Sequence, residues 1–242
     1  MAKNRSAWHL VALALMCFGA AAEASDGYIE ERYSIRLEVP QGYCSLDPSH
    51  PADSSVIRRW QQTFAKGEQL AAAAVECAQL NGWRNPSLLP VDFTQYLAIT
   101  GWKFEGMTYA QRLALPGRMC EQVRQQTGQP AGESLPSFYA RLVTARQALG
   151  IGEHRMIGAI NEEPAACYVV VVAAAKMDTG QPVSVVHVRA TTAIKGRVLQ
   201  LLLTAHASAG KEVAALQRSA DLMKRTVQAH LLTNNEPPAT HP

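Results

Sequence analysis

The stretch VSVVHVRATTAIKGRVLQLLLTAH, residues 183–206, decides the fold. Two runs rich in β-branched and aliphatic residues flank Lys195-Gly196, a dipeptide suited to the two-residue turn of a β-hairpin. With that turn, Ile194 opposes Arg197. Val186, Val188, Ala190 and Thr192 then face Ala205, Leu203, Leu201 and Leu199 across the ladder, an almost wholly apolar face. The opposite face sets Val185, His187, Arg189 and Thr191 against His206, Thr204, Leu202 and Gln200. A slip of one residue destroys this segregation, because side chains alternate with period two.

The polar face carries the candidate site. His187 and His206 become diagonal cross-strand neighbours, with Arg189 and Thr204 beside them. Such a group suits a polar ligand or a partner surface, and it also suits a plain solvent face. A zinc ion needs at least one more protein ligand than the two histidines, and none stands at the usual spacing, so no metal and no cofactor is expected.

Working outward, Cys167–Lys176 is apolar on both faces, as a central strand is, and Arg155–Ile160 is a further strand. Glu162-Glu163-Pro164-Ala165 and Asp178–Pro182 are turns. A helix is predicted over Ala209–Leu232, followed by a polar, proline-containing tail over 234–242 that is expected to be disordered. Upstream, Tyr28–Val39 alternates around Tyr33, Ile35, Leu37 and Val39 and predicts a half-buried first strand, closed by Pro40-Gln41-Gly42-Tyr43. Asp53-Ser54-Ser55 caps a predicted helix to about Leu80, with Val56, Trp60, Phe64, Leu70, Ala74 and Cys77 near helical spacing. Phe93–Thr100 suits a short helix or an extended piece, and the helix is favoured. Thr108 starts another through Gln125, bent at Pro116, and Ser134-Leu135-Pro136 opens one to about Leu149. The order describes a single α+β domain over 25–233. Its antiparallel sheet has about five strands, the first strand plus the C-terminal meander, with a helical insertion in the middle and a closing C-terminal helix.

The first 24 residues have their own logic. Lys3 and Arg5 precede the apolar run Leu10–Ala22, and Ala22-Glu23-Ala24 follows, the layout of a cleavable secretory signal peptide. The run is too short to span a bilayer, and the longest later one, Tyr168–Ala175, suits a buried strand. No transmembrane span is expected after cleavage. Loss of residues 1–24 removes Lys3, Arg5 and Glu23, leaving 21 basic and 19 acidic residues in 218, a balance that gives no case for nucleic acid. It also removes Cys17 and leaves Cys44, Cys77, Cys120 and Cys167, an even set expected to form two disulfides in an oxidising compartment, periplasmic or secreted. With Cys77 and Cys120 on middle helices, Cys44 in the loop after the first strand and Cys167 at the start of a central strand, the expected bridges are Cys77–Cys120 and Cys44–Cys167.

Motifs for chemistry are sparse. The chain has no G-x-S-x-G, H-E-x-x-H or Walker loop, and Gly150-Ile151-Gly152 lacks the third glycine of a dinucleotide loop. Asp47 and Asp53 suit turn and cap roles. Trp83, Tyr96, Trp102 and Phe104 concentrate around Pro86 and Pro90 and either line a groove or pin irregular chain to the core.

The element order, together with Ala190–Leu199 (ATTAIKGRVL) before a closing helix and the opening Val39–Cys44 (VPQGYC), resembles the Mog1/PsbP-like fold, shared by small bacterial envelope proteins of the DcrB type. The resemblance covers the sheet and last helix and implies an accessory or binding protein without shared catalytic residues. The expectation is an exported, non-catalytic protein of the envelope or periplasm whose partner is a protein or envelope component. The alternatives are an exported hydrolase or metal-dependent enzyme using His187 and His206, or a small-molecule carrier using the aromatic segment. Mass spectrometry of the protein from its native host is expected to give an N-terminus at Ser25; an intact Met1 in soluble cytoplasmic material would defeat the export reading.

Overall fold

The structure is a computed structural model that describes residues 35, 37–62, 68–84, 95–102, 107–160, 165–176, 180–195 and 197–235. The expected leader, residues 28–34 of the expected first strand, the acidic turn at Glu162-Glu163 and residues 236–242 of the tail lie outside these residues.

The strands are β1 (Tyr43–Ser45), β2 (Glu68–Glu76), β3 (Gln95–Trp102), β4 (His154–Ile160), β5 (Ala166–Lys176), β6 (Pro182–Ile194) and β7 (Arg197–Ala207). They form one sheet in the order β1-β2-β3-β7-β6-β5-β4, every neighbouring pair antiparallel. The helices are α1 (Pro51–Gln61), α2 (Leu80–Arg84), α3 (Tyr109–Leu113), α4 (Leu115–Thr127), α5 (Leu135–Gln147) and α6 (Glu212–Asn235). The α+β antiparallel class stands, and the C-terminal helix closes it.

The β6–β7 hairpin has the expected register, from Ile194 opposite Arg197 to Ser184 opposite Ala207. Lys195 takes a φ of 49°, the left-handed conformation that two-residue hairpin turns require. The apolar face of β5, β6 and β7 (Val170, Val172, Val186, Val188, Leu201, Leu203) is buried under Phe138 and Leu142 of α5 and under Leu216, Met223 and Val227 of α6. Val213, Leu216, Ala220, Met223 and Val227 recur at three- and four-residue steps, so one stripe of α6 meets the sheet. The ends of these helices are tied by buried polar contacts. Arg146 Nε donates to Ser184 Oγ at 2.7 Å, and Ser184 Oγ donates to Glu212 Oε1 at 2.6 Å, joining α5, β6 and α6.

The opposite face carries α4 over β4 and β5, where Leu115, Met119 and Val123 meet Ala159 and Val169. It also carries α1 over β2, where Val56, Ile57 and Trp60 meet Leu70, Ala73 and Val75. Capping is as the sequence predicts at two starts. Thr108 and Gln111 form a reciprocal capping box before α3, and Ser134 accepts from Ser137 N before α5. Pro116 falls in the first turn of α4 and does not bend a longer helix.

Four expectations are corrected. The helix predicted from Asp53 to Leu80 stops at Gln61, and EQLAAAAVE is strand β2. Its alanines favour helix in isolation, but Ala73 and Val75 pack under α1 while Ala72 and Ala74 meet the main core, so the pleat wins. Gln95–Trp102 is strand β3, not a helix, because it is the partner between β2 and β7. Ile35, Leu37 and Val39 pack on the core as their alternation implies, yet they join no ladder. Instead Glu38 N–H donates to His230 Nε2 at 3.0 Å, and His230 Nδ1 lies 2.7 Å from Thr226 O, which fixes the neutral Nδ1–H ring buried in α6. Asp53 is not a cap: the helix starts at Pro51, and its buried carboxylate is held bidentately by Arg84 at 3.0 and 2.7 Å and accepts from Asp47 N–H. Asp47 keeps its turn role, accepting from Ser49 N and Oγ.

The cysteine pairing is also corrected: the bridges are Cys44–Cys77 and Cys120–Cys167, with Cα separations of 4.8 and 5.4 Å. Cys77 follows the end of β2, and β1 pairs beside it through Cys44 and Val75, so the partner is across the ladder and not on a helix. Cys120 lies on the face of α4 that rests on β5, above Cys167. Non-reducing peptide mapping is expected to recover these two pairs. Replacing Cys120 and Cys167 by Ala should lower stability by about 3 kcal/mol in urea titration.

Candidate functional site

The ladder sets Val75, Tyr96, Thr204, His187, Val171 and Met156 in one row across the sheet. The polar patch therefore lies on the face that carries α1 and α4. Val75 belongs to the cluster under α1 and Met156 to the cluster under α4, so His187 and Thr204 stand between the two helices on the central strands. The next row along holds Arg189 opposite Leu202, and His206 stands opposite Val185.

All four residues singled out by the sequence, His187, Arg189, Thr204 and His206, come together there. Thr204 is buried and the other three are half-buried. His187 Nδ1 lies 2.9 Å from Thr204 Oγ1. Burial, followed by the nearby Arg189, His206 and His154, holds the His187 ring down to about 4, so it is neutral at physiological pH. One residue extends the patch beyond the sequence reading. His154 at the start of β4 adds to the field on His187, and it sits in the row of His206 through Ala173 and Val185. It was legible once β4 and β5 were registered on the hairpin. Thr191, on this face in the hairpin register, is buried, and its Oγ1 has no hydrogen-bond partner among the described residues.

The chemistry available is recognition by nitrogen and hydroxyl groups. Among the described residues no group of three His, Cys, Asp or Glu side chains has the geometry to hold a metal ion. Of the aromatic segment, Tyr96 and Trp102 lie on β3 and Trp83 on α2, and their side chains, like Phe104, lie outside the described residues.

No family model matches the chain, and no curated protein matches it. Among solved structures, the chain is similar to LpqN, described as involved in cell envelope biogenesis of Mycobacterium tuberculosis, at 12% identity and a TM-score of 0.33, over 78% of this chain and 79% of that one. The two disulfides fit an oxidising, extracytoplasmic setting, and among the described residues no helix is long and apolar enough to cross a membrane.

The buried rings have a consequence for stability. His187 and His230 both have folded values below that of a free histidine, chiefly through burial. Between pH 6.5 and those values the unfolded chain binds more protons, so stability is complete above pH 6.5 and is lost on acidification. The urea midpoint is expected to fall from pH 7 to pH 4.5, and His187→Gln should flatten that fall by up to about 3 kcal/mol. A His187→Gln profile superimposable on the wild type would refute the assignment.

Proposed function

We propose that this chain is an exported, non-catalytic accessory or binding protein of the bacterial envelope, built on a Mog1/PsbP-like sheet, and that the polar patch between α1 and α4 is its recognition surface. The observation that carries the reading is the clustering of His187, Arg189, Thr204 and His206, with Thr191 and Gln200 further along, on a sheet face that also carries Val169, Val171, Val185 and Leu202. Ring nitrogens, a guanidinium and a hydroxyl gathered among apolar side chains are the composition of a surface that orients a polar ligand or partner. The two disulfides support export. The partner is a protein or envelope component, and the protein is placed in the periplasm or outside the cell after loss of residues 1–24.

The hydrolase reading asks His187 to act as a base. Its Nδ1 faces the Thr204 hydroxyl and not a carboxylate, and its ring is held well below neutral. That arrangement serves recognition better than proton abstraction. Affinity capture from a native envelope extract tests the proposal. The wild-type protein is expected to retain a specific partner that Arg189→Ala combined with Thr204→Val loses at least tenfold. Equal capture by the two proteins would exclude this face.

A further inference from the structure

The two disulfides stand in opposite surroundings. Cys120 and Cys167 are fully buried, enclosed by Leu115, Met119, Val123, Ala159 and Val169 between α4 and the sheet. Cys77 is exposed and Cys44 half-buried, and Gln41, Gly42, Ser45 and Ala78 beside them are exposed as well. Exchange of a disulfide needs a thiolate to reach one of its sulfurs. The outer bond offers that approach in the folded protein. The inner bond is reached only when α4 leaves the sheet.

The outer bond also sits where the chain has the least other support. β1 is three residues long and pairs only with β2, with Cys44 opposite Val75. Two backbone bonds flank this short ladder: Cys77 N–H donates to Gly42 O at 2.9 Å, and Leu46 N–H donates to Ala73 O at 2.8 Å. The two ends of β1 are secured differently. Past Ser45 the chain is anchored, because Leu46 is buried with Ala73 and Val75 and Asp47 N–H donates to the Asp53 carboxylate. Ahead of β1 the chain is a strap: Ile35, Leu37 and Val39 are half-buried against the main core without joining a ladder, and Glu38 N–H donates to His230 Nε2 on α6. Cys44–Cys77 is the covalent fastening of that strap to the sheet.

We propose that Cys44–Cys77 is a thiol–disulfide exchange site, a latch that a dithiol reductant opens in the folded protein to loosen the strap ahead of β1, while Cys120–Cys167 stays closed. A thiolate of the reductant attacks Sγ of Cys77, the more exposed partner, and forms a mixed disulfide with it. The Cys44–Cys77 bond breaks, and Cys44 leaves as a thiolate that takes up a proton. The second thiolate of the reductant then attacks the reductant's own sulfur in the mixed disulfide, and Cys77 leaves and is protonated in turn. Two electrons have passed to the protein: the dithiol ends as a disulfide, and Cys44 and Cys77 end as thiols. The strap and the Gly42 contact are then held by non-covalent contacts alone, and this end of the sheet opens without unfolding the core.

The test treats the native protein with dithiothreitol at neutral pH without denaturant. Alkylation and peptide mapping are expected to find Cys44 and Cys77 labelled, with Cys120 and Cys167 still joined. In the reduced protein the amide at position 77 should exchange with deuterium at least tenfold faster than in the oxidised protein, while the Val188 amide keeps its rate. Cys44→Ser combined with Cys77→Ser should match the reduced protein at both positions. Four thiols appearing together, none appearing, or Cys120–Cys167 opening first would overturn the proposal. So would selective reduction that leaves exchange at position 77 unchanged.

Discussion

The structure rests on the alternation of side chains across one hairpin, pinned by the left-handed backbone of Lys195. That turn sets Val186 opposite Ala205 and His187 opposite Thr204. Once this is fixed, one face of the central strands is committed to α5 and α6 and the other becomes the floor between α1 and α4. The neighbouring strands inherit the choice: β5 and β3 pair along β6 and β7, so their faces follow from the same register. Moving the turn by one residue would bury His187 and Arg189 among Leu216 and Met223, which no rearrangement of those helices accommodates.

Much of this was legible in the sequence, for a physical reason. The segment from 154 to 207 is joined by short connections, so local pairing and the period-two pattern carry the information. Thr108 and Ser134 announced their helices because capping is a contact across three residues. The middle of the chain failed where the deciding contacts are distant. EQLAAAAVE has the composition of a helix, and only β1 and β3, from elsewhere in the sequence, make it a strand. The cysteine pairing failed for the same reason: once Cys77 is placed on a helix, its neighbour across the ladder cannot be seen.

The grouping of the four candidate residues on one sheet face follows from the hairpin register alone. What the sequence lacked was its walls. The hairpin alone shows a polar face and leaves open whether water or protein covers it. The helices on either side, held by Trp60 and Ile57 at β2 and by Met119 and Cys120 at β4 and β5, turn that face into a flanked floor. Burial is what then separates His187 from an ordinary surface histidine.

The connectivity of the bridges bears on how the molecule is made. The four cysteines pair in the order they occur in the chain, first with second and third with fourth, Cys44 to Cys77 and Cys120 to Cys167, with separations of 33 and 47 residues. A polypeptide threaded outward from its N-terminus presents Cys77 while Cys44 is the one earlier thiol of the domain, and presents Cys167 when only Cys120 is still unjoined. Oxidation in order of arrival therefore produces the native pairs directly. Pairing of this kind calls for an oxidant and places no demand on machinery that reshuffles wrong bonds.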